Sequence, residues 1–173
     1  MTDITIRTAV ERDAAALARL AEHTFRAAFE TMNSAEDMDS YCASAFGEAL
    51  QRREILDPQK ATYLAAQSGD LVGYGQLHWQ PPPVAVEARR PVELKRLYVD
   101  PGWHGRGVAQ ALTDVLFADA RRGDADGMWL GVWEHNPRAI AFYRKSGFEE
   151  IGDQVFLLGS DPQRDLLLMR PID

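Results

Sequence analysis

Strand-like and helix-like segments alternate along the 173-residue chain, which predicts a mixed α/β fold. Two further observations sharpen that class. A glycine turn, HGRG at 104–107, leads from a strand directly into a helical pattern, and GMWLGVW at 127–133 is almost wholly apolar, as a strand covered on both faces is. The length suits one domain with a sizeable core, expected to span residues 1–173.

DITIRTA alternates Ile4 and Ile6 with polar residues, the pattern of a half-buried first strand. Leu17, Leu20, Ala21, Thr24, Phe25, Ala28 and Phe29 then make one stripe of an amphipathic helix from about Asp13 to Glu30. Ser34 is placed to cap the next helix, with Glu36 and Asp37 in a first turn where carboxylates favour the helix dipole. Helical pattern continues to Leu56, before Pro58, with a break expected at Gly47. ATYLAAQSGDLVGYGQLHW reads as a hairpin turning at Ser68-Gly69-Asp70, and QPPPVAVEARRP as a surface loop.

Val92, Leu94, Leu97 and Val99 mark a fourth strand, and Val108, Ala111, Leu112, Val115 and Leu116 mark the helix beyond the glycine turn. After the apolar strand, Asn136 as N-cap and Pro137 in the first turn open another helix, which Gly147 stops. FEEIGDQVFLLG and RDLLLMRP supply two last strands.

The net charge of −7 argues against nucleic acid and anionic membranes as partners and favours a cationic small molecule. Cys42 is the only cysteine, which excludes an intrachain disulfide and a Cys-rich zinc site; with Met38, Tyr41, Ala45 and Phe46 around it, it reads as a small buried hydrophobe. No apolar signal core opens the chain and no run reaches the length of a membrane span, so a cytoplasmic protein is expected. His23, His78, His104 and His135 are not spaced as metal ligands, and no Gly-x-Ser-x-Gly elbow offers a serine nucleophile.

A helix start leaves main-chain N–H groups unpaired, and glycines allow both close approach and positive φ angles that turn successive N–H groups inward. HGRGVA has these devices for holding a phosphate, and Arg106 can add a charged contact. The P-loop ending Gly-Lys-Ser/Thr is absent, and Gln110 stands about where a dinucleotide fingerprint needs its third glycine. A plain surface turn is the competing reading of this stretch taken alone.

The same residues resemble the acyl-CoA-binding motif of the GCN5-related N-acetyltransferase superfamily: Gln or Arg, two residues, Gly, one residue, then Gly or Ala. Here the stretch is His104, Gly105, Arg106, Gly107, Val108 and Ala109, with His104 departing from the pattern. WLGVWEHNPRAIAFYRKSGFEEIG resembles the superfamily's second cofactor segment, with Asn136, Phe142 and Tyr143 at its characteristic positions. TFRAAF, EDM, LKRLYV and VFLLGSDPQRDLLLM extend the likeness to the Pai-type spermidine/spermine N-acetyltransferases over most of the chain.

That resemblance implies a twisted mixed sheet of about seven strands, helices on both faces, and a split between strands four and five. It implies acetyl-CoA as cosubstrate, no metal, and a small primary amine as acceptor, with spermidine or spermine preferred. A protein N-terminus or lysine as acceptor, and a non-catalytic acyl-CoA sensor, are the alternatives. By resemblance, the main chain of Leu97, Tyr98 and Val99 faces the thioester and the pantetheine arm.

An amine resembling lysine, with a pKa near ~10.4, must lose a proton at a cost of about 4–5 kcal/mol at pH 7 before it can attack. A carboxylate must receive that proton; Glu93 on the fourth strand is the first candidate because, eleven positions before the motif, it resembles the base of the superfamily's histone-modifying branch, and Glu134 after the apolar strand is in reserve as acceptor or anchor. Tyr143 can protonate the departing thiolate, because a phenol keeps its proton at neutral pH. Glu30, Glu36, Asp37 and Asp39 are candidates to line a polyamine site. Strand edges near the C-terminus leave a homodimer open.

Overall fold

The computed structural model describes residues 4–173; Met1 to Asp3, including the first residue of the expected opening strand, lie outside it. Seven strands form one sheet in the order β1-β2-β3-β4-β5-β7-β6. They are β1 (Ile4–Thr8), β2 (Lys60–Gln67), β3 (Asp70–His78), β4 (Pro91–Val99), β5 (Gly127–Trp133), β6 (Glu149–Leu158) and β7 (Asp161–Pro171). Every neighbouring pair is antiparallel except β4 and β5.

Five helices cover the sheet: α1 (Ala14–Phe29), α2 (Ala35–Ala45), α3 (Glu48–Leu56), α4 (Val108–Arg122) and α5 (Pro137–Lys145). The first expected helix loses one residue at each end to a 3-10 turn, Glu11–Asp13 before it and Glu30–Met32 after it. Ser34 caps α2 as expected, its hydroxyl accepting from the Asp37 N–H at 3.1 Å, and Gly47 separates α2 from α3. The β2–β3 hairpin turns where Ser68 and Gly69 both take positive φ, 52° and 95°, the pairing a tight hairpin needs.

Two apolar cores form, one on each face of the sheet. Leu112, Leu116 and Phe117 of α4 pack with Val92, Met128 and Leu130. Leu17, Leu20, Phe25 and Phe29 of α1 pack with Met38 and Cys42 of α2 and with Leu64 and Tyr74. Cys42 is buried among them, as its apolar neighbours predict.

The parallel pair β4–β5 holds register for three rungs only: Pro91 with Gly127, Val92 with Met128, and Glu93 with Trp129. Beyond Glu93, β4 runs on to Val99 paired to β3 alone. A register shift opposite Gln76 and Leu77 leaves Lys95 as the extra residue of a bulge, which increases local twist as the strands diverge. The expected split between strands four and five is therefore present.

Candidate active site

Asp100 N–H donates to Val72 O at 2.9 Å, directly across from it on β3. In an antiparallel pair the main-chain groups of successive residues point to opposite sides, so Tyr98 and Arg96 share the direction of Asp100. Leu97 and Val99 point the other way, into the split. Val99 O confirms this, accepting from His104 Nε2 at 2.8 Å on the side away from β3. Of the three residues expected to offer main chain to a ligand, Tyr98 is the exception: its N–H and C=O are committed to β3, and its ring lines the cavity instead.

The turn after β4 is built locally. Asp100 Oδ1 accepts from Gly102 N–H at 2.9 Å, closing the 3-10 turn Pro101–Trp103. Gly105 and Gly107 have φ of 75° and 80°, the left-handed region that disfavours a side chain. Gly107 is the N-cap of α4, and Ala111 N–H is bonded back to it at 3.0 Å. The N–H groups of Val108, Ala109 and Gln110 have no intrahelical acceptor by helix geometry, so the turn presents unpaired donors at the positive end of a helix dipole. The Arg106 guanidinium rests over the Trp103 ring, 4.9 Å from its centre.

His104, which departs from the family pattern, bridges the two sides of the split. Because Val99 O can only accept, Nε2 carries the proton, leaving Nδ1 to accept from Arg138 Nη1 of α5 at 2.8 Å. The imidazole therefore links the glycine turn, the free edge of β4 and a cation on α5.

At the split lies a cavity of about 140 Å³. Glu93, Leu97 and Tyr98 line it from β4, Gly131 and Trp133 from β5, Asn136 from the cap of α5, Tyr143 from α5 itself, and Phe25, Phe29 and Tyr41 from the opposite helices. Asn136 accepts from Ala139 N–H at 3.2 Å, so its cap fixes the start of α5 against the cavity. Tyr143 is packed edge-on to Phe148, ring centres 5.7 Å apart, and burial pushes its phenol pKa up, so it is protonated at neutral pH. Phe142, one residue earlier, does not line the cavity; it borders a separate surface recess beside Thr113 and Arg170.

Glu93 is buried at the last β4–β5 rung, accepting from Gln80 Nε2 on one oxygen and facing Lys95 Nζ at 3.4 Å on the other. The acidic residues expected near the acceptor lie elsewhere. Glu30 pairs with Arg26 at 3.7 Å, as does Asp39 at 2.8 Å. Asp37 accepts from Ser160 N–H at 2.7 Å, tying α2 to the β6–β7 turn. Glu134 faces Arg164 at 3.1 Å, and Glu36 is exposed. Four of these five pair with a nearby cation or donor, and the cavity takes its carboxylates from β4 and β7 instead.

The second cavity carboxylate is Asp165 of β7, absent from the sequence candidates. It pairs across from Trp133 on β5 and from Gln154 on β6. Gly131 leaves the space for it, since a Cβ there would sit 3.1 Å from Asp165 Oδ2 and 2.8 Å from Gln154 Nε2. Burial pushes the Asp165 pKa up to about 6, with the Gln154 amide and the Lys95 charge pulling the other way. A polar network missed in the sequence also holds this wall: Arg96 Nη1 donates to Glu54 Oε2 at 2.8 Å and to Gln76 Oε1 at 2.7 Å, fixing α3 to β4 and β3. Among the described residues no group of three or more His, Cys, Asp or Glu could hold a metal ion, and no helix is long and apolar enough to cross a membrane.

Residues 16–148 match the model of the acetyltransferase (GNAT) family. An uncharacterized N-acetyltransferase of Mycobacterium tuberculosis (strain ATCC 25618 / H37Rv) is 34% identical over 160 residues, 92% of this chain and 98% of that one. An uncharacterized N-acetyltransferase of Lactobacillus delbrueckii subsp. lactis is 29% identical over 172 residues, 99% of each. The crystal structure of PaiA N-acetyltransferase from Thermoplasma acidophilum, in complex with coenzyme A, shares the fold with a TM-score of 0.81 at 20% identity, over 98% of this chain and 99% of that one. The split sheet, the glycine turn and these matches agree, and the chain belongs to the acetyltransferase (GNAT) family as an acetyl-CoA-dependent N-acetyltransferase.

Proposed function

We propose that the protein transfers an acetyl group from acetyl-CoA to a primary aliphatic amine, with a polyamine such as spermidine or spermine as preferred acceptor, by direct attack in a ternary complex. The observation that carries this reading is the composition of the split: main chain at one end, and at the other an aromatic cavity lined by Tyr143 and two buried carboxylates. The glycine turn and the unpaired N–H groups of Val108, Ala109 and Gln110 take the pyrophosphate, with Arg106 and Arg138 as flanking cations. The pantetheine arm lies along the free edge of β4 at Leu97 and Val99, as an added strand would.

The amine enters the cavity as an ammonium, and a cavity carboxylate takes its proton; Glu93 and Asp165 are the two available. The nitrogen attacks the thioester carbonyl carbon, forming the C–N bond. The main-chain N–H groups on the open edge of β4 stabilise the developing oxyanion, being oriented before the reaction begins. As the C–S bond breaks, Tyr143 gives its proton to the sulfur and is restored by the second proton leaving the nitrogen. The aromatic walls suit the methylene chain of a polyamine.

Steady-state assays of coenzyme A release with a panel of amines test the reading. Turnover on spermidine or spermine above that on monoamines and N-terminal peptides supports it. Preference for a peptide acceptor overturns the polyamine assignment, and coenzyme A binding without turnover on any amine points to a sensor.

A further inference from the structure

We propose that Asp165, rather than Glu93, meets the acceptor's ammonium and takes its proton. This rests on the amine-acetyltransferase reading above and assigns the group that performs its first step.

The two carboxylates differ in what already surrounds them. Both oxygens of Glu93 have donors of the chain itself, Gln80 on one and Lys95 on the other. Asp165 is as buried in the overall sense, 8% exposed, yet among the described residues it has no Lys, Arg or His within ion-pair distance; the neighbouring cations Lys95 and Arg96 are paired to Glu93 and Glu54. A charge taken out of water is normally matched by a partner, and here the chain supplies only the Gln154 amide and the more distant Lys95 charge, with no cation at ion-pair distance. A ligand cation would supply the match, and Asp165 lines the cavity that would hold it.

Its surroundings describe that ligand. Tyr41 stacks on Phe25 at 4.7 Å and meets Phe156 at 5.3 Å, while Phe29 meets Trp133 edge-on at 5.9 Å. Such walls exclude water, cover methylene groups and attract a cation through their ring faces. A primary ammonium on a short aliphatic chain satisfies both the walls and the carboxylate. The raised pKa of Asp165 agrees, since a base poised near neutrality exchanges a proton readily once its cation has arrived. The charged or titratable groups facing it are Lys95 from β4 and Tyr41 from α2, with the Gln154 amide from β6 beside it.

In the proposed step one ammonium proton passes to the Asp165 carboxylate and the freed lone pair forms the C–N bond to the acetyl carbonyl; the C–S bond breaks with its electron pair on the coenzyme A sulfur, which takes the Tyr143 proton, and the second nitrogen proton restores Tyr143. Asp165 then returns its proton to solvent when product leaves.

Asp165→Asn is nearly isosteric. It is expected to bind coenzyme A as the parent does, to melt no lower than the parent at pH 7.5, and to lose at least about 100-fold in kcat/KM for primary amines. Turnover within threefold of the parent overturns the proposal while leaving the acetyltransferase reading intact. A second measurement is calorimetry of the coenzyme A-loaded parent and Asp165→Asn with n-butylammonium and with n-butanol. Tighter binding of the ammonium by the parent, tenfold or more and lost in the variant where Glu93 remains, supports Asp165 as its partner; equal binding by the parent, or a preference the variant keeps, overturns it. Absence of coenzyme A binding by the parent instead defeats the acetyltransferase reading itself.

Discussion

The cofactor turn and the acceptor cavity are built in opposite ways. The turn is ten consecutive residues, Asp100 to Ala109, whose working parts are main-chain N–H groups aimed by Gly105 and Gly107. The cavity assembles side chains from α1, α2, β4, β5, α5, β6 and β7, and its chemistry rests on individual carboxylates and a phenol. A main-chain cradle tolerates side-chain changes everywhere but at its left-handed glycines. An acceptor is chosen by side chains that can change singly without disturbing the backbone cradle.

The sharpest way to separate the two regions is Tyr143→Phe. It removes one oxygen from the cavity and nothing from the turn, so kcat should fall about 100-fold or more while coenzyme A affinity stays within twofold. Stopped-flow or steady-state thiol release with parallel calorimetry checks both numbers. Unchanged turnover would remove Tyr143 from the acid role.

Next in size is the pH dependence of stability at Asp165. Its folded pKa, about 6, lies above the unfolded 3.8, so the folded state holds the proton more tightly. The ionised group therefore destabilises the fold above pH 6, by about 3 kcal/mol from linkage, and this penalty is lost as pH falls through 6 toward 4. Asp165→Asn should be more stable than the parent at pH 7.5, with the advantage shrinking toward pH 4.5 in thermal melts. A constant difference across that range would contradict the burial of an unpaired charge.

In the turn, Gly107→Val forces a β-branched residue to φ near 80°. About 1–3 kcal/mol of strain moves the first N–H groups of α4, so coenzyme A should bind roughly 10- to 100-fold more weakly, read by calorimetry. The amine preference among remaining turnover should not change. His104→Ala, the mildest, removes the bridge from Val99 O to Arg138 and should cost roughly fivefold in coenzyme A affinity, about 1 kcal/mol.

This division also explains what could be read in the sequence. The strand–turn–helix, the Asn136 cap, the all-apolar β5 and the β2–β3 hairpin are local patterns, and each appears where its residues predict it. The split itself was expected through family likeness, and three rungs of register show it. Asp165 was not legible because RDLLLM reads as an ordinary strand. Only the pairing of β7 between β5 and β6, with Gly131 making room, turns that aspartate into a cavity wall. Conversely, Glu30, Asp37 and Glu134 looked like a site because they are acidic and near one another in chain or by analogy, but Arg26, Ser160 and Arg164 engage them.

A crystal structure with coenzyme A and spermidine bound is the most direct measurement of how the split is used. The pyrophosphate is predicted to lie on the glycine turn and the N–H groups of Val108, Ala109 and Gln110, the sulfur beside Tyr143, and a primary ammonium against Asp165. A coenzyme A whose pyrophosphate lies away from that turn, or whose sulfur ends outside the aromatic cavity, would contradict it.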